Sequence, residues 1–456
     1  MRALAAFAKA SAPKAAAILV LLAATPASAQ VDGHVSVMFD TLPDLDEAAG
    51  RQSANELRMR VFAERHDEFG SHIRINLAGY VDGLVADRQH TSAPGTTTDV
   101  IVRPADLYVD IVTPHFDVRA GAARLVWGRL DEFQPTDVVN PLDLSRFLME
   151  GRSEARLPVG LVRGRVFLPR STTIEAVVVP HFRRGRFDQL DEESSPFNLT
   201  PGPHSGIQPS AEPGPQWLVR EEPEWSPQGG LRLMSTTGRV DWSVSAYRGI
   251  RAFPISTVGA DLSTSAKATV DEKVGPYIRE SFPRFTMIGG DFETVHGPWG
   301  VRGEVAAFVD DELQSTRAIR GVPGHSVTAG IGVDRKAGEY RIAADALWSR
   351  SALRLADARS GQGLEEFAGD PEIERTDVSL VVAADRSFAR ETRTLRLFAV
   401  YDPADATTFT RVIAAISLRD NVWIEGSAGL ITGTSLDIIG RLTRRDFAYA
   451  RLKVFF

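Results

Sequence analysis

Along most of this chain apolar and polar residues alternate with a period of two. The run Val240-Asp241-Trp242-Ser243-Val244-Ser245-Ala246-Tyr247 is the clearest case. In Trp299-Gly300-Val301-Arg302-Gly303-Glu304-Val305 the apolar residues share one face and Arg302 and Glu304 the other. Leu57, Met59 and Val61 likewise oppose Glu56, Arg58 and Arg60. Successive side chains of an extended strand point to opposite sides, so each run predicts a strand with one apolar and one polar face. The pattern predicts strands over 33–40, 54–66, 71–86, 98–113, 115–128, 158–168, 171–181, 227–236 and 238–249. It continues through 282–294, 298–310, 324–335, 338–350, 375–388, 391–402, 408–419, 421–432 and 445–456. The count is eighteen, with sixteen as the alternative, because one hairpin more or less changes it by two.

The connections sort by length. Short ones, such as Thr113-Pro114-His115, Pro169-Arg170-Ser171, Thr237-Gly238 and His296-Gly297-Pro298, alternate with longer ones at 41–53, 87–97, 129–157, 182–226, 251–281, 311–323, 351–374 and 433–444. Only Asp402 to Thr407 is brief where a long one is due. Tight turns at one end and long loops at the other are the habit of transmembrane antiparallel β-barrels, whose strands need about 9–11 tilted residues to cross a bilayer. The expected fold class is therefore all-β, with both termini on the side of the short turns. Arg103-Pro104-Ala105 and Ala122-Ala123-Arg124 break the alternation, so bulges are expected there. Trp127, Trp242, Trp299, Trp348 and Trp423 fall toward strand ends, as in an aromatic girdle.

Both ends of the chain sharpen this reading. In the last strand Ala448, Ala450, Leu452, Val454 and Phe456 share one face, and Tyr449, Arg451 and Lys453 the other. This ending resembles the C-terminal strand by which bacterial outer-membrane β-barrels are recognised for insertion. At the other end Arg2, Lys9 and Lys14 precede the apolar run Ala15–Ala24 and the small-x-small site Ala27-Ser28-Ala29. These residues predict a secretory signal over 1–29 and an exported domain over 30–456. Hydrophobic content is an ordinary 43% and no unbroken apolar run reaches helical spanning length. Loss of three basic residues with the signal takes the formal charge from −7 to −10 (−7 − 3), which argues against nucleic acid as a partner. There are no cysteines, so closure of the sheet, not disulfides, must supply stability.

The third long connection, 129–157, is too apolar to lie in water: Leu130, Phe133, Val138, Val139, Leu142, Leu144, Phe147, Leu148 and Met149 all need cover. Asn140-Pro141 signals a turn into a short helix over Leu142–Gly151. Folding inward would bury the apolar residues and present Asp131, Glu132, Asp137 and Asp143 to the channel, so 129–157 is the expected constriction. Strand parity turns Arg58, Arg60, Arg74, Arg119, Arg163, Arg165, Arg302, Arg341, Arg451 and Lys453 inward. It does the same for Glu56, Glu64, Asp82, Asp110, Asp117, Glu175, Asp241, Glu304, Asp310, Asp334, Asp345 and Glu425. Arginine's rigid fork suits pairing with loop carboxylates or gripping a passing anion.

The spacing Trp127-Gly128-x-x-Asp131…Pro135-x-Asp137-x-x-Asn140-Pro141, with Gly289-Gly290-Asp291-Phe292-Glu293 and Arg302-Gly303-Glu304, resembles a Gram-negative outer-membrane family of porin-like barrels. The resemblance implies a link to export or efflux systems and carries over no catalytic residue. Nothing in the sequence supplies an enzyme's machinery. The nine histidines are scattered, and neither Gly-x-Ser-x-Gly nor His-Glu-x-x-His occurs. The acidic runs Asp44–Glu47 and Asp188–Glu193 match no calcium loop, so no metal and no cofactor are expected. The expected function is a channel of the bacterial outer membrane for diffusion or export of small hydrophilic or amphipathic solutes. The alternative is a plugged barrel for binding, assembly or efflux-linked export, with the Pro- and Gly-rich 182–226 loop as its docking surface. Partners would be outer-membrane lipid and lipopolysaccharide, the barrel-insertion machinery through the C-terminal strand, and the solutes; a lipid-facing wall is also compatible with a homo-oligomer.

Overall fold

The computed structural model describes residues 31–43, 54–88, 95–186, 197, 218–223, 225–259, 277–315, 320–354, 373–433, 442–443 and 445–456. The predicted signal over 1–29, and most of the 182–226 loop, lie outside these residues. The strands are β1 (Val31–Leu42), β2 (Ala54–Phe69), β3 (Ile73–Arg88), β4 (Gly95–Val112), β5 (Phe116–Ala123), β6 (Val159–Leu168) and β7 (Thr172–Val179). They continue with β8 (Leu218–Glu221), β9 (Gln228–Thr237), β10 (Val240–Ile250), β11 (Ile255–Gly259), β12 (Tyr277–Ser281), β13 (Arg284–His296) and β14 (Trp299–Ser315). The last are β15 (Arg320–Ala337), β16 (Tyr340–Leu353), β17 (Thr376–Phe388), β18 (Arg393–Asp402), β19 (Thr407–Arg419), β20 (Val422–Thr432) and β21 (Phe447–Phe455).

Eighteen of these strands form one sheet, each antiparallel to its neighbours in the chain. The ring closes where β1 pairs with β21, from His34↔Phe455 to Thr41↔Ala448. Gly33 and Phe456 exchange backbone hydrogen bonds of 3.1 and 3.0 Å at that seam. Each of the eighteen predicted strands corresponds to one strand of the ring, so the all-β antiparallel barrel is the observed fold. Closure leaves no free sheet edge at the seam.

The turns follow from local chemistry. Gly238, at φ +64°, supplies the left-handed residue that a two-residue hairpin between β9 and β10 requires. At Ala78/Gly79 the β3–β4 register shifts, and Ala105 is the unpaired extra residue, the bulge expected from Arg103-Pro104-Ala105. The fifth strand departs from expectation. It stops at Ala123 where 128 was predicted, and Asn140 takes over the hydrogen bonds beyond. β8, β11 and β12 were not anticipated; they form a separate three-stranded sheet from loop segments, too short to show a two-residue period.

The two faces of the ring differ sharply. Outward positions such as Phe39, Ile288, Ile331, Ile342 and Leu430 are each at least half exposed, whereas Glu56, Arg58, Asp82, Asp291 and Glu304 are buried. Polar residues inside and apolar residues outside invert the ordinary soluble sheet. One predicted member of the girdle is misplaced: Trp127 is fully buried, inside the ring.

Candidate functional site

The segment after β5 turns into the ring and fills its middle. Asn140 clamps its neck: Oδ1 accepts the N–H of Leu125 at 2.8 Å, while Nδ2 donates to the carbonyls of Ala123 (3.0 Å) and Leu157 (2.8 Å). One side chain thereby ties the loop's entry to its exit and satisfies the ladder groups that β5 leaves open. Between these points lie two short helices, α1 (Phe147–Glu150) and α2 (Arg152–Ala155). α1 begins five residues later than the Leu142 start predicted and stops at Gly151, φ +82°, where a stop was expected.

From the neck the loop runs against β14. Gly128 (φ +93°) brings the backbone so close to Glu304 that a Cβ at this position would lie 2.5 Å from its carboxylate. The Glu304 carboxylate accepts the N–H groups of Arg129 (2.9 Å), Leu130 (3.3 Å) and Thr136 (2.7 Å), and the Thr136 hydroxyl at 2.8 Å. Arg129 reaches sideways to Asp291 at 2.6 Å and Glu293 at 3.0 Å. Trp127 Nε1 donates to Glu175 on β7 at 2.8 Å. The two stretches singled out in the sequence, Trp127–Pro141 and Gly289–Glu304, are thus in contact.

Asp131 receives Arg341 at 2.6 Å and also Arg302, and Glu132 pairs with Arg396 on β18. Asp137 turns back into the loop, where its buried carboxylate pairs with Arg156. Asp143 pairs with Arg186 at 2.9 Å and with Arg103 on β4. Farther along, Glu150 pairs with Arg58, and Arg60 donates to Glu154 at 3.0 Å. Arg58 and Arg60 also share Asp82, each with a contact of 2.6 Å. Arg411 on β19 donates to the carbonyl of Met149.

These contacts span the ring. β2 and β14 are nine neighbours apart in a ring of eighteen, so Arg58 and Glu304 face each other across its diameter. Apolar packing accompanies the ion pairs on both sides. Trp127 and Val139 join a cluster with Val177, Tyr247 and Met287, while Leu130 and Met149 join another with Leu347, Val400 and Phe409.

Four of the sequence-predicted site residues stand apart from the loop. Arg119 pairs with Asp110 at 2.7 Å, Arg163 and Arg165 share Asp117, and Arg74 pairs with exposed Glu68 at 3.1 Å near a short turn. Conversely, Arg129, Arg146, Glu150, Glu154, Arg396 and Arg411 hold the loop in place and were not singled out. Inward parity could have found Arg396 and Arg411; nothing local marks the others. Arg146 pairs with Glu56 at 2.5 Å. Burial acts to raise the Glu150 pKa, but the guanidiniums of Arg58, Arg60 and Arg146 outweigh it and hold this carboxyl below the usual range. Among the described residues no group of three or more His, Asp or Glu could hold a metal ion.

Fold and loop together define a closed eighteen-strand β-barrel crossed by its third long loop. The chain belongs to the family described as "Protein of unknown function (DUF1302)", whose match covers residues 102–378. No curated protein sequence matches it. Among solved structures it is similar to Acinetobacter baumannii OccAB1, with TM-score 0.52 and 8% identity over 94% of this chain and 97% of that one. Acinetobacter baumannii OccAB4 gives 0.50 and 9% over 95% and 99%, and OccAB3 of the same organism 0.50 and 6% over 94% and 100%. At such identities the likeness is one of fold.

Proposed function

We propose that the protein is a porin-like channel of a Gram-negative outer membrane, passing small hydrophilic or amphipathic solutes by diffusion or export. The observation that carries this reading is the sidedness of the closed ring: an apolar outer face such as lipid requires, around a charged interior. On this reading the 129–157 loop sets the constriction. The guanidiniums at its rim, Arg302, Arg341 and Arg396, face Asp131 and Glu132 and give selectivity by charge and width, with no cofactor and no energy input.

A second reading has specific support as well. The loop is held on both sides of the ring by apolar clusters as well as ion pairs, which suits a plugged barrel used in binding, assembly or efflux-linked export. Single-channel conductance of residues 30–456 in a planar bilayer separates the two. Discrete ohmic steps that widen when 129–157 is shortened support the channel. A folded but silent barrel that conducts only after that shortening supports the plug.

A further inference from the structure

At its long-loop end the outward face of the ring carries arginines in one sector. Exposed Val244 marks the outward side of β10, Ile288 that of β13, and Ile342 and Trp348 that of β16. Arg248, Arg284 and Arg350 fall on those same sides and are exposed. On β1, β7, β18 and β20 the corresponding outward residues, Phe39, Val178, Tyr401 and Leu430, are uncharged.

A bulge gathers this sector into a patch. The β14–β15 register shifts between Phe308 and Asp311, so Asp310 turns outward, against the inward side that unbroken parity gives it. Asp311 takes the buried side instead. Arg248 Nη1 donates to Asp310 at 3.1 Å and to the Thr286 hydroxyl at 2.6 Å, and Arg354 Nη1 donates to Asp310 at 2.9 Å. Two guanidiniums thus share one carboxylate, and these bonds engage only Nη1 of Arg248, whose fork carries five N–H donors in all. Arg284 lies two residues from Thr286 on the same face of β13, about 7 Å along the strand.

The height of the patch follows from β16. Tyr340 begins that strand at a short turn, and both Tyr340 and Trp348 are exposed on the outward face. Arg350, ten residues along from Tyr340, stands about 24 Å above it at 3.4 Å per residue and a tilt near 45°. The apolar band of an outer-membrane barrel is about 25 Å tall, so the arginines stand at headgroup depth on the long-loop side. Directly below them the wall is apolar, with Val244, Ile288, Val305 and Ile331 exposed. Forked cations over an apolar wall match a molecule with phosphate on its head and acyl chains beneath.

We propose that Arg248, Arg284, Arg350 and Arg354 form a binding site for the phosphorylated headgroup of lipopolysaccharide. The acyl chains then lie along Val244, Ile288 and Val305. The site rests on the reading above only for the barrel's place in a Gram-negative outer membrane.

The test uses the folded barrel, residues 30–456, in detergent micelles with lipid A carrying two phosphates, and native mass spectrometry to count the lipid retained. Dephosphorylated lipid A should be retained at least about tenfold less well. Arg248→Gln/Arg354→Gln should weaken retention of the phosphorylated form by about tenfold, as loss of charge-assisted hydrogen bonds implies. Arg284→Gln/Arg350→Gln, which leaves the Asp310 bonds intact, should weaken it by about threefold or more and carries the test if the first pair does not fold. Arg335, exposed over the Trp299 ring near the opposite end of the wall, supplies the control, and Arg335→Gln should change nothing. Heat-modifiable migration reports the folding of each variant. Equal retention of phosphatidylglycerol or of dephosphorylated lipid A would overturn the proposal, as would unchanged retention in the folded arginine pairs or an equal loss in Arg335→Gln. Planar-bilayer current on the unsubstituted barrel reports the channel reading separately. A silent barrel that retains lipid A as expected keeps the site and loses the channel, and a conducting barrel that retains none does the reverse.

Discussion

Glu304 Oε1 accepts both the backbone N–H of Thr136, at 2.7 Å, and its hydroxyl, at 2.8 Å, joining residues 168 positions apart. Thr136 is wholly buried, so neither donor has water as an alternative partner. Removing the acceptor strands four donors of the loop at once, since Arg129 and Leu130 share the same carboxylate. Glu304→Ala is expected to lower stability by about 3 kcal/mol or more, because charged hydrogen bonds are lost and buried donors left unpaired. Urea unfolding of the barrel in micelles measures this, and a change under about 0.5 kcal/mol would show that the carboxylate is not the anchor.

Gly128→Ala meets the same carboxylate from the other side. A Cβ 2.5 Å from Glu304 Oε1, on a backbone at φ +93°, must displace one or the other. We expect a cost of about 2 kcal/mol. Part of it should vanish in the background of Glu304→Ala, which removes the clash and leaves only the backbone strain. A strictly additive double-mutant cycle would contradict the contact.

Asp131 pairs with both Arg302 and Arg341. In a conducting barrel Asp131→Asn leaves two guanidiniums less compensated at the loop. The anion-to-cation permeability ratio, read from the reversal potential in a salt gradient, should rise by about twofold or more. An unchanged reversal potential would place the ion path away from this residue.

Glu150 has its pKa held low in the folded state: burial opposes this, and the neighbouring guanidiniums of Arg58, Arg60 and Arg146 prevail. A depressed carboxyl contributes stability that is fully present above its unfolded pKa and disappears as pH falls through the lower folded value. Hydrogen exchange across 141–157, corrected for intrinsic rates, should therefore show steady protection from about pH 8 to about pH 5 and a loss only below the ordinary carboxylate range. Glu150→Gln should abolish that acid step while lowering protection at neutral pH. An acid step that survives the substitution would assign it to another carboxylate.

The strands could be read in the chain because a wall between apolar and polar surroundings imposes a period of two, and that period is local. Leu57 to Val61 and Val240 to Tyr247 each declare two faces without reference to anything distant. The apolar content of 129–157 likewise required cover, and inward folding follows from it. Local pattern also located the Ala105 bulge, since proline and a lost alternation coincide there. It could not say that β5 stops at Ala123, because the hydrogen bonds that replace its ladder come from Asn140. Nor could it show that Trp127 leaves the wall for the interior. Which charges meet was also beyond it: parity turns Arg58 and Arg119 inward alike, yet one binds the loop and the other pairs with Asp110 near the turns. That difference depends on position around the closed ring and depth along it, set by register and closure over the whole sheet. The sequence by itself determined a barrel with a buried loop. Only the tertiary structure decided that the loop ties β2 to β14 across the diameter, because that contact depends on chain segments far apart in sequence meeting in space.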